Sequence, residues 1–69
     1  MVFHRTFIHV LPVLNQWEVK VHGFKDQDSF YTSEEEAEQI ADELAHKIVP
    51  SELMIHNAEG IIQKHATYE

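Results

Sequence analysis

The chain has 69 residues, no cysteine, and a formal charge of −7 from twelve acidic and five basic residues. That length allows one domain (residues 1–69), and the missing cysteines exclude disulfides, thiolate metal centres and a cysteine nucleophile. The acidic balance argues against nonspecific binding to nucleic acid or to an anionic membrane, both of which are driven by basic charge.

A chain this short buries only about 60% of its unfolded surface, so oligomerisation is the expected supplement to its stability. Met1 to Thr6 reads as a lead-in without the basic-then-apolar layout of a secretory signal, and a cytoplasmic location is expected. Phe7 to Pro12 reads as the first strand, with Ile8, Val10 and Pro12 on one face and Phe7, His9 and Leu11 on the other. Proline cannot donate to a ladder, so the strand is expected to end at Pro12, with Val13 to Gln16 as a loop. A two-residue turn at Asn15-Gln16 is the alternative, though it lacks the usual glycine. Gln16 to Phe24 alternates cleanly as the second strand, with Trp17, Val19 and Val21 facing one way and Glu18, Lys20 and His22 the other. The resulting register pairs Pro12 with Trp17, Val10 with Val19 and Ile8 with Val21. The run Phe7 to Leu14 is far too short to span a bilayer, and no membrane contact is expected.

Gly23 to Ser29 is a polar connection, and Phe30 to Thr32 a short extended lead into the helix. Ser33 to Lys47 is the one segment with sustained helical periodicity. Ser33 with Glu36 forms a capping-box pattern, Glu34 to Glu36 suit the positive end of the helix dipole, and His46 and Lys47 suit the negative end. Ala37, Ile40, Ala41, Leu44, Ala45 and Ile48 form its apolar stripe, so Ile40 and Leu44 are expected in the core over Trp17. Pro50 stops the helix. Leu53 to Asn57 is the third strand, Asn57 to Gly60 fits a type I turn, and Ile61 to Thr67 is the fourth strand. The expected fold is α+β, in the order β-β-α-β-β. One helix packs on one face of a mostly antiparallel four-stranded sheet, with spatial order second–first–third–fourth.

His9-Val10-x-Pro12, Trp17-x-Val19-Lys20, Phe30-x-Thr32 before Glu36-Ala37, Ile55-His56 and Gly60-x-Ile62 follow one another in an order and spacing that resembles the small bacterial family called domain of unknown function 2188. The likeness runs from about His9 to Tyr68. It implies a short soluble bacterial protein, and the family has no established activity to carry over. The chain departs from the family at Val13-Leu14-Asn15-Gln16, where a polar, glycine-rich loop is usual. It departs again at Asn57-Ala58-Glu59-Gly60, where a basic residue is frequent. Both departures count against an anion-binding loop.

Six histidines raise the question of a metal. His9 and His22 share a face in the expected register and His56 could join them, but no dense motif such as His-Glu-x-x-His is present and Lys20 lies opposite His9. No metal or other cofactor is therefore expected. Ser29, Ser33 and Ser51 sit at turn or cap positions, no glycine-rich phosphate loop exists, and the chain is small for a deep pocket, so no enzyme is expected. The uncovered sheet face is expected to carry His9, Leu11, Lys20, His22, Met54, His56, Ile62 and Lys64, with Phe7 and Phe24 at its margins. A mixed apolar face of this kind suits a non-catalytic binding or assembly module, a homodimer in the first instance, with an unknown protein partner as a further possibility. The alternative is an accessory protein that binds nucleic acid by stacking on that face, against the chain's net charge. Val13 and Leu14 at the hairpin tip are expected either to meet a partner or to tuck over the core.

Overall fold

The computed structural model describes residues 5–22 and 28–69. Its elements are β1 (Thr6–Val13), β2 (Gln16–Val21), β3 (Ser29–Tyr31), α1 (Glu34–Lys47), β4 (Ser51–His56) and β5 (Ile62–Tyr68). They form one mixed five-stranded sheet in the order β3-β2-β1-β4-β5. The fold is α+β with one helix, as expected, but the sheet gains a strand. Ser29–Tyr31 pairs antiparallel with β2, placing Trp17 opposite Tyr31 and Glu18 opposite Phe30. β1 and β4 run parallel, and the other three pairings are antiparallel. Phe24, and the end of the second strand expected to reach it, lie outside the described residues.

The expected β1–β2 register is the observed one: Ile8 opposite Val21, Val10 opposite Val19, Pro12 opposite Trp17. The strand does not end at Pro12, however, but continues to Val13, which pairs with Gln16. The His22 N–H donates to the Phe7 carbonyl at 2.8 Å. Hydrogen-bonded pairs therefore fall at Phe7, His9, Leu11 and Val13, and Pro12 occupies a non-hydrogen-bonded pair. Its nitrogen faces away from β2, towards the β4 side, where pairing has already ended at Val10–Ile55. Proline costs this ladder nothing.

The turn is then Leu14-Asn15, one residue earlier than the Asn15-Gln16 alternative. Leu14 takes φ 56 and is 98% exposed, so it does not tuck over the core. A left-handed conformation costs a residue with a Cβ about 1–2 kcal/mol, partly offset against glycine by glycine's larger unfolded entropy. Leu14→Gly is therefore expected to stabilise the monomer by about 0.5–1 kcal/mol, a rise in Tm of about 2–8 °C for a domain of this size. A thermal melt checks it, and a lower Tm would show that Leu14 makes contacts within the monomer.

α1 starts as its sequence demands. Ser33 is extended, and its hydroxyl accepts from the Glu36 N–H at 3.3 Å. At the other end the Ile48 N–H donates to the Leu44 carbonyl. Ser51 opens β4 fully buried, and its hydroxyl donates to the Ala45 carbonyl at 2.7 Å. This bond satisfies one of the carbonyls that the last helical turn leaves free. The helix buries Ala37, Ala41 and Ala45 against Ile8, Val10, Val19, Val21, Leu53 and Ile55. Of the core expected from Trp17, Val19, Val21, Ile40, Leu44 and Ile55, the structure buries Val19, Val21 and Ile55, while Trp17, Ile40 and Leu44 are only half-buried. Small side chains let the helix axis sit close to the sheet, and the larger residues flank the contact line.

Asn57 to Gly60 forms the expected turn. The Gly60 N–H donates to the Asn57 carbonyl at 2.9 Å, and the Asn57 N–H donates to the Ile61 carbonyl at 2.8 Å. Gly60 has φ 84, so this is the three-residue hairpin loop in which a type I turn is followed by a left-handed residue. The Asn57 side-chain oxygen accepts from the N–H groups of Glu59 and Ile61, which fixes the loop further.

Candidate functional site

α1 covers one face of the sheet. Residues that alternate away from the core form the other: Phe7, His9, Leu11 and Val13 on β1, Glu18 and Lys20 on β2, Glu52, Met54 and His56 on β4. At the edges it continues to Phe30, opposite Glu18, and to Ile62, opposite His56. Phe7 is 37% exposed, Phe30 52% and Ile62 51%. Leu11, Val13 and Met54 are half-buried with no helix above them. The face is thus an apolar field crossed by histidines and a few charges.

Lys64 is not part of it. The β4–β5 register shifts between Ile55 and His56, so His56 faces Ile62 while Ile55 faces Lys64. Ile55 points into the core, which puts Lys64 on the helix side of the sheet. The shift leaves Gln63 as an extra residue on β5 and breaks the simple alternation that would place Ile62 and Lys64 together. His65 takes the place expected for Lys64, opposite Met54, and its Nε2 lies 2.7 Å from Glu52 Oε1. Glu52 also faces Arg5, 3.8 Å away, and Arg5 donates to Glu69 at 2.7 Å. These pairs are largely exposed and serve the β5 margin more than the face.

The structure brings two of the three expected histidines together. His9 Nδ1 and His56 Nε2 are 3.2 Å apart, and His56 Nδ1 lies 3.1 Å from the Gly60 carbonyl. A carbonyl only accepts, so His56 carries its proton on Nδ1 and accepts at Nε2 from the His9 Nδ1–H. His22 is exposed at the end of β2 and stays outside this hydrogen-bonded pair. Among the described residues no group of three or more His, Cys, Asp and Glu is placed to hold a metal ion. Burial pushes the His9 imidazole below the ordinary histidine range, and charge on His56, His22 and Lys20 pushes it the same way.

A depressed histidine pKa means that the unfolded chain binds the proton more readily. Its contribution to stability is complete above about pH 6.5 and is lost as the pH falls below that value. Tm is therefore expected to fall between about pH 7 and pH 5, and His9→Gln to flatten that dependence. Melts of both proteins across this range check it. A slope unchanged in His9→Gln would place the titrating group elsewhere.

A second cluster joins α1 to β5 and had no counterpart in the sequence reading. The Tyr68 hydroxyl donates to Asp42 Oδ1, and the His46 ring packs on Tyr68 with centroids 4.2 Å apart. His46 Nδ1 in turn lies 2.9 Å from the Asp42 carbonyl. The bond to Asp42, followed by burial, raises the Tyr68 pKa above the usual phenol value. Asp42 and His46 stand at i,i+4 on the exposed helix face, which was the available signal. Tyr68 needed the strand order to be located. The cluster clamps the edge strand to the helix.

Taken together, these features define a small α+β domain in which a single helix closes one side of a mixed sheet and leaves an apolar, histidine-bearing side open. The chain belongs to domain of unknown function 2188, a family described as an uncharacterised protein conserved in bacteria, whose model matches residues 8–68. No curated protein and no solved structure matches it. No helix among the described residues is long and apolar enough to cross a membrane.

Proposed function

We propose that the domain is a non-catalytic binding or assembly module, cytoplasmic in location, that pairs with a second copy through its uncovered sheet face. The observation that carries this reading is Phe7, Leu11, Met54, Phe30 and Ile62 on the side of the sheet that no helix covers. Several large apolar side chains left on one open face of a small domain suit an interaction site. Each valine- or leucine-sized side chain removed from water contributes about 1.5–3 kcal/mol, so a few of them sustain an association. Leu14, held at the hairpin tip in a conformation that favours glycine, contributes nothing to the core and extends the same apolar margin.

Sedimentation velocity over a concentration and salt series tests the reading. The 8.1 kDa chain is expected to sediment at twice that mass, and the association to persist at high salt. Phe7→Glu is expected to return it to monomer and to remove any concentration dependence of Tm. A wild-type chain that stays monomeric at high concentration would overturn the proposal. Co-purifying nucleic acid, lost as salt is raised, would replace it with the stacking alternative.

A further inference from the structure

We propose that His9 and His56 are half of a site for zinc or a similar transition-metal ion, completed by the same two residues of a second copy. The inference rests on the proposed pairing through the uncovered face. His56 Nδ1 is committed to the Gly60 carbonyl at 3.1 Å, which leaves Nε2 unprotonated, its lone pair taken by the His9 Nδ1–H. That is the tautomer and the outer hydrogen bond that metal-bound histidines use. His9 Nδ1 stands 3.2 Å from that lone pair. Two nitrogens bound to one tetrahedral zinc at about 2.0–2.1 Å lie about 3.3–3.4 Å apart. The spacing of the pair therefore suits chelation once the rings turn to aim both lone pairs at one ion. The ion takes the place of the proton between the two nitrogens, and His9 carries its proton on Nε2 instead, so both ligands stay neutral.

Two imidazoles are too few for a stable centre, and the chain offers no third ligand within the described residues. β1 is the central strand of five, so His9 lies near the middle of the open face. A two-fold axis over that face sets two such pairs against each other and supplies the four nitrogens of a tetrahedral site. Lys20, opposite His9, works against a cation. Glu18, on the same face and strand, offsets part of its charge.

The test uses the full chain stripped with EDTA and then titrated with zinc by calorimetry and with cobalt(II) by visible absorption, with sedimentation at each end point. The expected result is one metal per two chains, intense tetrahedral cobalt bands, and a dimer about tenfold or more tighter with zinc. His9→Gln and His56→Gln should each lose all three, while His46→Gln, on the exposed helix face, should keep them. Absent cobalt bands, bands retained in both His9→Gln and His56→Gln, or one metal per chain without change in mass would overturn the inference. A dimer in EDTA that ignores zinc keeps the apolar pairing and removes the metal site. A chain that is monomeric in EDTA and dimeric with zinc keeps the site and removes the apolar pairing.

Discussion

Leu53→Ala is expected to remove about half of the protein's folding free energy. Leu53 is 1% exposed and lies between Ile8 and Ala66 in neighbouring strands, beneath the helix. Truncation removes its transfer free energy and leaves a cavity that the flanking strands cannot close, at a cost of about 2–5 kcal/mol. At about 0.05–0.15 kcal/mol per residue, a domain of this size has only about 3–10 kcal/mol in total. The Tm should fall by more than about 10 °C. A Leu53→Ala protein melting within about 2 °C of wild type would mean that the core is not centred on β1 and β4. Leu44→Ala, at the half-buried flank of the helix, should cost less than Leu53→Ala.

Ala41→Leu is the second large effect and runs opposite to hydrophobicity. Alanine and leucine are both good helix formers, so propensity hardly changes. Ala41 is fully buried between Ala37 and Ala45 on the line where α1 meets the sheet. Three extra heavy atoms do not fit there without lifting the helix or forcing neighbours off their rotamers. Overpacking of this kind costs about 1–3 kcal/mol, and in a domain this small it is expected to lower the urea midpoint clearly. Ile40→Leu, one residue away and only half-buried, should be close to neutral. A stabilised Ala41→Leu would show that the helix stands further from the sheet than its alanine line requires.

Much of this architecture was legible in the residues because alternation and capping are local signals. Ile8, Val10 and Pro12 against Trp17, Val19 and Val21 allow only one register that keeps a face apolar, and Ser33 with Pro50 brackets the helix. The expected order second–first–third–fourth is the observed β2-β1-β4-β5, although alternation and capping do not by themselves dictate it. What escaped was decided by contacts rather than by period. Ser29–Tyr31 is too short to show alternation, and becomes a strand because β2 offers a free edge. Ile40 and Leu44 outweigh alanine in any hydrophobic pattern, yet close approach selects Ala37, Ala41 and Ala45. One extra residue at Gln63 exchanges Lys64 for His65 on the open face, since a shift of one position inverts everything beyond it. The proximity of His9 and His56 depends on the parallel pairing of β1 with β4, which no local motif announces.

Amide chemical shifts of the labelled protein, followed on dilution at constant pH and salt in EDTA, test the central claim most directly. The account predicts that shifts move with concentration at Phe7, His9, Leu11, Lys20, Met54 and Phe30, while Glu35, Gln39 and Glu43 on the outer side of the helix stay still. Concentration-dependent shifts confined to the helix, or none at any concentration, would contradict an interface on the uncovered face.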